Sequence, residues 1–133
     1  MSTVLDTSAV AAVVFGEPEA EVMLAAMRRS AGDLAIGAAT LVEAGIVVEA
    51  KQGPAASSDL RTLLSTLEVR VLDVDEGQAA TAVAAWRRFG KGRHPARLNF
   101  GDCLSYAAAK ATGAALLYTG DDFPQADIPS GLV

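Results

Sequence analysis

The chain alternates short apolar runs with longer helical segments, and this alternation limits its fold more than any other feature. Apolar or β-branched runs at residues 34–37, 69–74 and 115–119 are typical of strands, and another strand is expected within residues 1–9. Strands that alternate with helices indicate βαβ units, in which neighbouring strands run parallel. The sequence therefore predicts an α/β fold with a mainly parallel sheet.

Helices are predicted between these runs from apolar periodicity and from glycine, proline and capping residues at the segment ends. The predicted helices cover residues 9–16, 17–31, 40–52, 55–67, 76–89 and 99–112. A loop that carries glycine and arginine follows at residues 90–97, and residues 126–133 are expected to add a short edge strand.

Composition indicates a globular chain with a substantial core. The 133 residues predict a single domain, 1–133, and 51% of them are hydrophobic, with a mean hydropathy of +0.30. No signal peptide and no apolar run of the roughly 18 residues that span a bilayer is found, so a cytoplasmic location without membrane contact is expected. The single cysteine, Cys103, falls in a helical apolar pattern and is expected to be buried rather than reactive.

Acidic residues follow two of the predicted strands. Asp6 comes directly after the first strand, and Asp121 and Asp122 follow the strand at residues 115–119. In open α/β sheets the ligand crevice lies beyond the carboxyl ends of the strands, so these side chains are expected to face it. The alternatives are that Asp6 only caps a helix and that Asp121 and Asp122 form an ordinary turn. Residue spacing does not decide whether Asp121 or Asp122 faces the crevice.

Two further acids lie near the beginnings of predicted helices. Glu43 has apolar neighbours on both sides, so it either faces solvent along a polar stripe or has a cation as its partner, and the scarcity of polar residues near it favours the cation. Asp102 is about one turn into a largely apolar helix, where Asn99 is the expected N-cap and Gly101 leaves room beside it. Stabilisation by the helix dipole is the alternative explanation for Asp102.

Together the four acids predict a metal site at one rim of the sheet. Two like charges about 4 Å apart repel by about 4 kcal/mol at an effective dielectric constant near 20, and no lysine lies next to any of the four in sequence. Oxygen ligands suit Mg²⁺ or Mn²⁺, whereas Cys103 and His94 cannot form a zinc set. Carboxylate-bound Mg²⁺ supports hydrolysis of phosphodiester bonds.

The sequence resembles the VapC toxins, which are PIN-domain ribonucleases. The resemblance covers essentially the whole chain and rests on VLDTSA at residues 4–9, on Glu43 in the helix after the second strand, and on LNFGDCLSYAAAKATGAALLYTGDDF at residues 98–123. It implies a PIN domain with three layers, α/β/α, and a sheet of four to five strands. It also implies a Mg²⁺-dependent endoribonuclease, with Mn²⁺ as a substitute, that acts as the toxin of a type II toxin–antitoxin system.

The same resemblance implies roles for individual residues and partners. Asp6 and Asp102 are the expected metal ligands, and Glu43 and Asp121 complete the catalytic set, with Asp121 favoured over Asp122 by the TGD element. Ser8 and Thr119 match positions where the family often has a supporting hydroxyl. The implied partners are an RNA substrate, a VapB-like antitoxin whose tail enters the active-site groove, and a second copy of the chain in a homodimer.

Substrate binding must be reconciled with a net charge of −5, and the charge distribution offers an explanation. Five of the 11 Lys and Arg residues lie between Trp86 and Arg97, immediately before the helix that carries Asp102. This basic segment predicts an RNA contact, with Trp86 or Phe89 as a stacking face. A solvated helix end, with both aromatic rings in the core, is the alternative.

Three rival functions were weighed. A receiver domain requires an acidic pair at the first strand and a lysine after a late strand, but Thr7 and Ser8 follow Asp6 and no lysine follows Tyr118. A phosphatase with a D-x-D turn is excluded because position 8 is serine. A non-catalytic PIN-like module that binds RNA or protein is the remaining alternative, and metal-dependent turnover distinguishes it.

Overall fold

A four-stranded parallel sheet forms the centre of the molecule. The computed structural model describes residues 2–132. The strands are β1 (Thr3–Leu5), β2 (Leu34–Gly37), β3 (Arg70–Leu72) and β4 (Ala115–Leu117), in the order β3-β2-β1-β4. All three pairings are parallel, which confirms the predicted α/β class.

Helices connect successive strands. Their bounds are α1 (Thr7–Phe15), α2 (Ala20–Arg29), α3 (Ala38–Gln52), α4 (Pro54–Thr66), α5 (Glu76–Phe89) and α6 (Phe100–Thr112), followed by a 3₁₀ turn at Phe123–Gln125. Within residues 2–132, each helix is too short or too polar to span a bilayer.

The two faces of the sheet bury separate apolar cores, so the molecule has the predicted three layers. Val4, Ala35 and Leu116 point into a core with α5 and α6, whereas Leu5 and Leu117 point into a core on the opposite side. The second core contains residues of α1, α2, α3 and α4. This alternation follows from the two-residue period of a strand, in which successive side chains face opposite sides.

Local signals explain the ends of several elements. Asp6 caps α1 by accepting a hydrogen bond from the Ser8 amide, and Gly16 ends this helix in the left-handed conformation (φ 64°), which glycine adopts without strain. Asp75 caps α5 by accepting from the Gln78 amide. The predicted cap of α6, Asn99, is confirmed and forms a capping box with Asp102.

Several boundaries differ from the sequence prediction; α2, for example, begins at Ala20 rather than at residue 17, and three other differences affect the sheet or the position of Glu43. Helix α3 begins at Ala38, so Glu43 lies in its second turn rather than its first; Gly37 precedes the helix without a side-chain cap that would mark its start. The run at residues 69–74 forms only the three-residue edge strand β3, where pairing is available on one side. The predicted tail strand is reduced to one parallel bridge between Leu116 and Ser130, and Val133 lies outside the described residues.

Candidate metal centre

Carboxylates from separate elements meet at the carboxyl end of the sheet. Asp6 follows β1, Glu43 comes from α3, Asp102 comes from the first turn of α6, and Asp122 comes from the loop after β4. Because β1 lies between β2 and β4, the loops after all three strands and the start of α6 open onto the same region.

Asp6 is held rigidly at the floor of the cluster. Its side chain is 4% exposed, and its Oδ1 accepts a hydrogen bond from the Ser105 hydroxyl at 2.6 Å. Its Oδ2 accepts from the Ser8 amide at 3.0 Å and from the Ser8 hydroxyl at 2.6 Å. Asp6 thus caps α1 with one oxygen and faces α6 with the other, so capping is only part of its structural role.

Asp102 lies among other negative charges and is partly buried. Burial, together with the charges of Asp6, Asp122 and Glu43, raises its pKa to about 6, against the lowering effect of the hydrogen bond from the Asn99 amide. That amide donates to Oδ2 of Asp102 at 3.0 Å, while the Asp102 amide donates to Oδ1 of Asn99 at 2.9 Å. The hydrogen bonds with Asn99 therefore fix the orientation of the Asp102 carboxylate, but no Lys or Arg among the described residues pairs with its negative charge.

Glu43 reaches the cluster across Gly101. A Cβ atom at Gly101 would lie 2.2 Å from Oε2 of Glu43, far inside any normal contact distance, so only glycine leaves room for this carboxylate. The Thr7 hydroxyl donates a short hydrogen bond to Oε1 of Glu43. Gly101 and Thr7 together bring the side chain of α3 against the start of α6.

The structure distinguishes the two acids after β4. Asp122 is half-buried, and its negative charge contributes to the raised pKa of Asp102. Asp121 is exposed and is not among the groups that raise this pKa. The geometry therefore favours Asp122 as the fourth acid, whereas the resemblance favoured Asp121.

The donor set fits a hard divalent cation. All the converging side chains offer carboxylate oxygens, and among residues 2–132 both ion pairs formed by Lys or Arg involve Asp127 rather than these acids. The cluster is open: in the same residues, no three His, Cys, Asp or Glu side chains are close enough together to hold an ion as they stand. The space over Gly101 that Glu43 occupies and the uncompensated charge around Asp102 are the features that suit a cation.

Sequence reasoning missed several hydroxyl groups that support the acids. Ser105 contacts Asp6 and lies 3.2 Å from the Thr40 hydroxyl, and Thr7 contacts Glu43. Ser105 lies three residues after Asp102, on the same face of α6, and this spacing was the available signal. The predicted support by Ser8 takes the form of hydrogen bonds to Asp6 and from the Thr119 amide, the latter 3.0 Å long.

The remaining candidates occupy structural positions or the surface. Cys103 is buried, and burial raises its pKa to about 11, as expected of an unreactive thiol. His94 accepts a hydrogen bond from the Ala96 amide, and its ring packs edge-on against Phe89. Phe89 belongs to the core, whereas Trp86 is 44% exposed, so only Trp86 of the two predicted aromatic residues is accessible.

Comparisons with known proteins identify the family. The family model described as "PIN domain" matches residues 3–129. The protein named Ribonuclease VapC of Mycolicibacterium smegmatis is 41% identical over 127 residues, which cover 94% of this chain and 96% of the relative.

Solved structures of low sequence identity share the fold. VapC20 of Mycobacterium tuberculosis, described as a Sarcin-Ricin loop cleaving toxin, matches with a TM-score of 0.78 at 20% identity over 96% of each chain. A toxin-antitoxin complex from Klebsiella pneumoniae matches with a TM-score of 0.69 at 20% identity, over 92% of this chain and 90% of that one. Family model, sequence identity and fold agree, and the chain belongs to the PIN-domain family, among the VapC ribonucleases.

Proposed function

We propose that this ribonuclease cuts RNA phosphodiester bonds with the help of Mg²⁺ held by Asp6 and Asp102, with Glu43 and Asp122 completing the site. One observation carries the proposal: four carboxylates from four elements converge without a Lys or Arg partner in the described part of the chain. The enzymes of this family depend on divalent cations. Mg²⁺ is favoured because its ligands in proteins are oxygens, and Mn²⁺ would substitute for the same reason.

Each residue has a defined task in this proposal. Bound at this site, a divalent cation would lower the pKa of a water molecule and neutralise charge on the phosphate. Asp6 and Asp102 supply oxygens whose directions are fixed by Ser8, Ser105 and Asn99. Glu43 holds the cation or orients the attacking water, and Asp122 contributes charge from the loop after β4.

The test is cleavage of a mixed, end-labelled pool of cellular RNA by the purified chain with Mg²⁺ or Mn²⁺. Cutting is expected, and EDTA or Asp102→Asn should abolish it. Asp122→Asn should also lose most activity, whereas Asp121→Asn serves as the matched control and should retain it. Full activity of Asp102→Asn would refute the metal site, and the opposite behaviour of the two loop variants would restore Asp121 as the fourth acid.

An antitoxin partner is supported by the toxin-antitoxin complex from Klebsiella pneumoniae, which shares this fold. An apolar groove of about 610 Å³ lies between α3 and the start of α6 and includes Glu43 and Gly101 in its lining, with Val42 and Ile46 exposed on its wall. The proposed occupant is the tail of a VapB-like antitoxin, which would cover the apolar wall and block the carboxylates. Ile46→Arg should prevent a coexpressed antitoxin from rescuing growth without reducing RNA cleavage, and unchanged rescue would contradict this placement.

A homodimer is proposed through the neighbouring surface of α3 and the edge strand β3. Val71 is exposed on β3, and Val47 and Val74, which also line the groove, are exposed beside it. An edge strand with apolar side chains favours association. Light scattering at micromolar concentration should give the mass of a dimer, and Val71→Lys should give the monomer. A wild-type monomer across this range would refute the dimer.

The proposed site of action is the cytoplasm, where the RNA substrate is found.

A further inference from the structure

A second pocket opens between α5 and the start of α6, beside the carboxylate cluster. Its volume is about 370 Å³, within the range typical of small-ligand sites. The buried residues Leu98 and Cys103 form its inner surface, and Trp86 and Phe100 line it with aromatic rings. Lys91 and Asn99 supply its polar groups.

The two aromatic rings are unusually accessible. Phe100 is 82% exposed and Trp86 is 44% exposed, although both are large apolar side chains. The Arg93 guanidinium lies 4.5 Å from the centre of the Trp86 ring, which holds the indole and places a cation beside the pocket. Exposed aromatic residues grouped around a concave surface are typical of a binding site.

The charge around the pocket favours a polyanion. No Asp or Glu occurs between Glu76 and Asp102, and all five basic residues of the segment before α6 lie in this stretch. Arg88 is committed to Asp127, at 3.0 Å, but Arg87, Lys91, Arg93 and Arg97 form no ion pair within the described residues. This basic segment of an otherwise acidic chain complements a phosphate backbone better than it complements an apolar protein segment.

The pocket is lined by residues at the start of α6, where Asp102 also lies. Phe100 lies between Asn99, whose amide donates to Asp102, and Gly101, which is in contact with Glu43. Phe100 also lines the groove that contains Glu43, so this residue borders both cavities. A nucleotide whose base lay against the Phe100 ring would have its phosphates beside the acids.

We infer that this pocket binds an unpaired base of the RNA substrate, stacked against Phe100 and Trp86. The inference rests on the proposed function and adds to it a binding site for a base next to the cleaved bond. Stacking on an aromatic ring is possible for every base, because every base has a π-face. The apolar inner surface offers few groups that could form hydrogen bonds with the edges of a particular base. The pocket therefore anchors single-stranded RNA more than it selects sequence.

The test measures binding without cleavage, in EDTA, by the fluorescence of Trp86, which is the only tryptophan in the chain. The probes are a short oligouridylate, an oligoadenylate of the same length, and a matching ribose-phosphate chain without bases. The wild type should bind the base-bearing probes about tenfold more tightly than the abasic chain, with a change in Trp86 fluorescence. Phe100→Leu should lose this preference yet bind the abasic chain as before, and Val22→Ala, on the opposite helical layer, should behave as wild type.

Equal affinity of the wild type for the three probes would overturn the inference, and so would an unchanged base preference in Phe100→Leu. Loss of dimerisation or antitoxin binding in Phe100→Leu, with RNA binding unchanged, would assign the pocket to a protein partner instead. Failure of the proposed function is distinguishable because it appears only in the cleavage assay with Mg²⁺. A chain that prefers base-bearing probes but does not cut RNA supports the pocket and contradicts the catalytic proposal.

Discussion

Gly101 is the residue on which the geometry of the carboxylate cluster depends most directly. Gly101→Ala would put a methyl group where Glu43 now lies, so the Glu43 carboxylate must leave its present position. Misplacement of a reacting group by about 1 Å lowers rates by about a hundredfold, and a loss of this size is expected in RNA cleavage with Mg²⁺.

Gly45→Ala is the matched control for that change. It also lies in a helix, and a Cβ atom there would meet no heavy atom within 4 Å. This variant should stabilise the fold by about 1 kcal/mol through helix propensity and keep its activity. Equal activity of the two variants would show that the position of Glu43 is unimportant.

The raised pKa of Asp102 predicts how the metal-free protein responds to pH. The folded-state pKa, about 6, lies above the ordinary value of 3.8 for an aspartate, so ionisation of Asp102 disfavours the folded state. The stabilising effect of the neutral form is complete below pH 3.8 and is lost as the pH rises through 6. In EDTA, the thermal unfolding midpoint should therefore rise relative to Asp102→Asn as the pH falls from about 7 toward 4, and a constant difference would contradict the assignment.

At the scale of elements, the segment from α5 to α6 is expected to supply the electrostatic part of RNA binding. Neutralising Arg87, Lys91 and Arg93 together should weaken binding and reduce the slope of log K against log salt by about 2. Arg88 is left out because it pairs with Asp127. Neutralising three exposed residues of the opposite helical layer, Arg28, Arg29 and Arg61, is the control, and an equal loss there would mean that net charge alone matters.

The loop that bears Asp122 is attached to α5 and α6 through Asp127. The Tyr106 hydroxyl donates to Oδ1 of Asp127, and Arg88 donates to Oδ2 at 3.0 Å. Tyr106→Phe should lower the free energy of unfolding by about 1.5 kcal/mol, as measured by urea denaturation. Tyr118→Phe is the control because its hydroxyl makes no hydrogen bond within residues 2–132. Comparable losses in the two variants would argue against a stabilising role for the hydrogen bond between Tyr106 and Asp127.

Elements with strong local signals were predictable from sequence. The cap at Asn99, the glycine that ends α6 at Gly113, and the apolar run of β2 each depend on neighbouring residues. The start of α3 and the shortness of β3 depend on tertiary packing and on the position of β3 at the sheet edge, which local patterns do not encode.

The same limit applies to the candidate site. Asp6 could be proposed from sequence because it follows a strand, and Glu43 and Asp102 because each lies in a largely apolar helix. The hydroxyl groups of Thr7 and Ser105 were missed because such residues are common and their partners lie 36 and 99 residues away in sequence. The choice between Asp121 and Asp122 depends on the path of a loop rather than on a periodic pattern.

For the whole molecule, Mg²⁺ is expected to act as a stabilising ligand. An ion that binds only the folded chain adds about 2.7 kcal/mol at a concentration of about 100 times its dissociation constant, or roughly 10 °C in the unfolding midpoint. Asp102→Asn should abolish this shift. An equal shift in the variant would mean that Mg²⁺ binds elsewhere.

The central position of β1 determines when during synthesis this enzyme becomes active. The Asp6 amide donates to the Leu117 carbonyl, and Ser8 pairs with Thr119, which lies 111 residues further along the chain. At bacterial rates of translation, a ribosome needs on the order of ten seconds to add that many residues. The emerging chain lacks β4 and Asp122 throughout this interval, so the ribosome that makes the nuclease and the message it reads are not exposed to a finished active site.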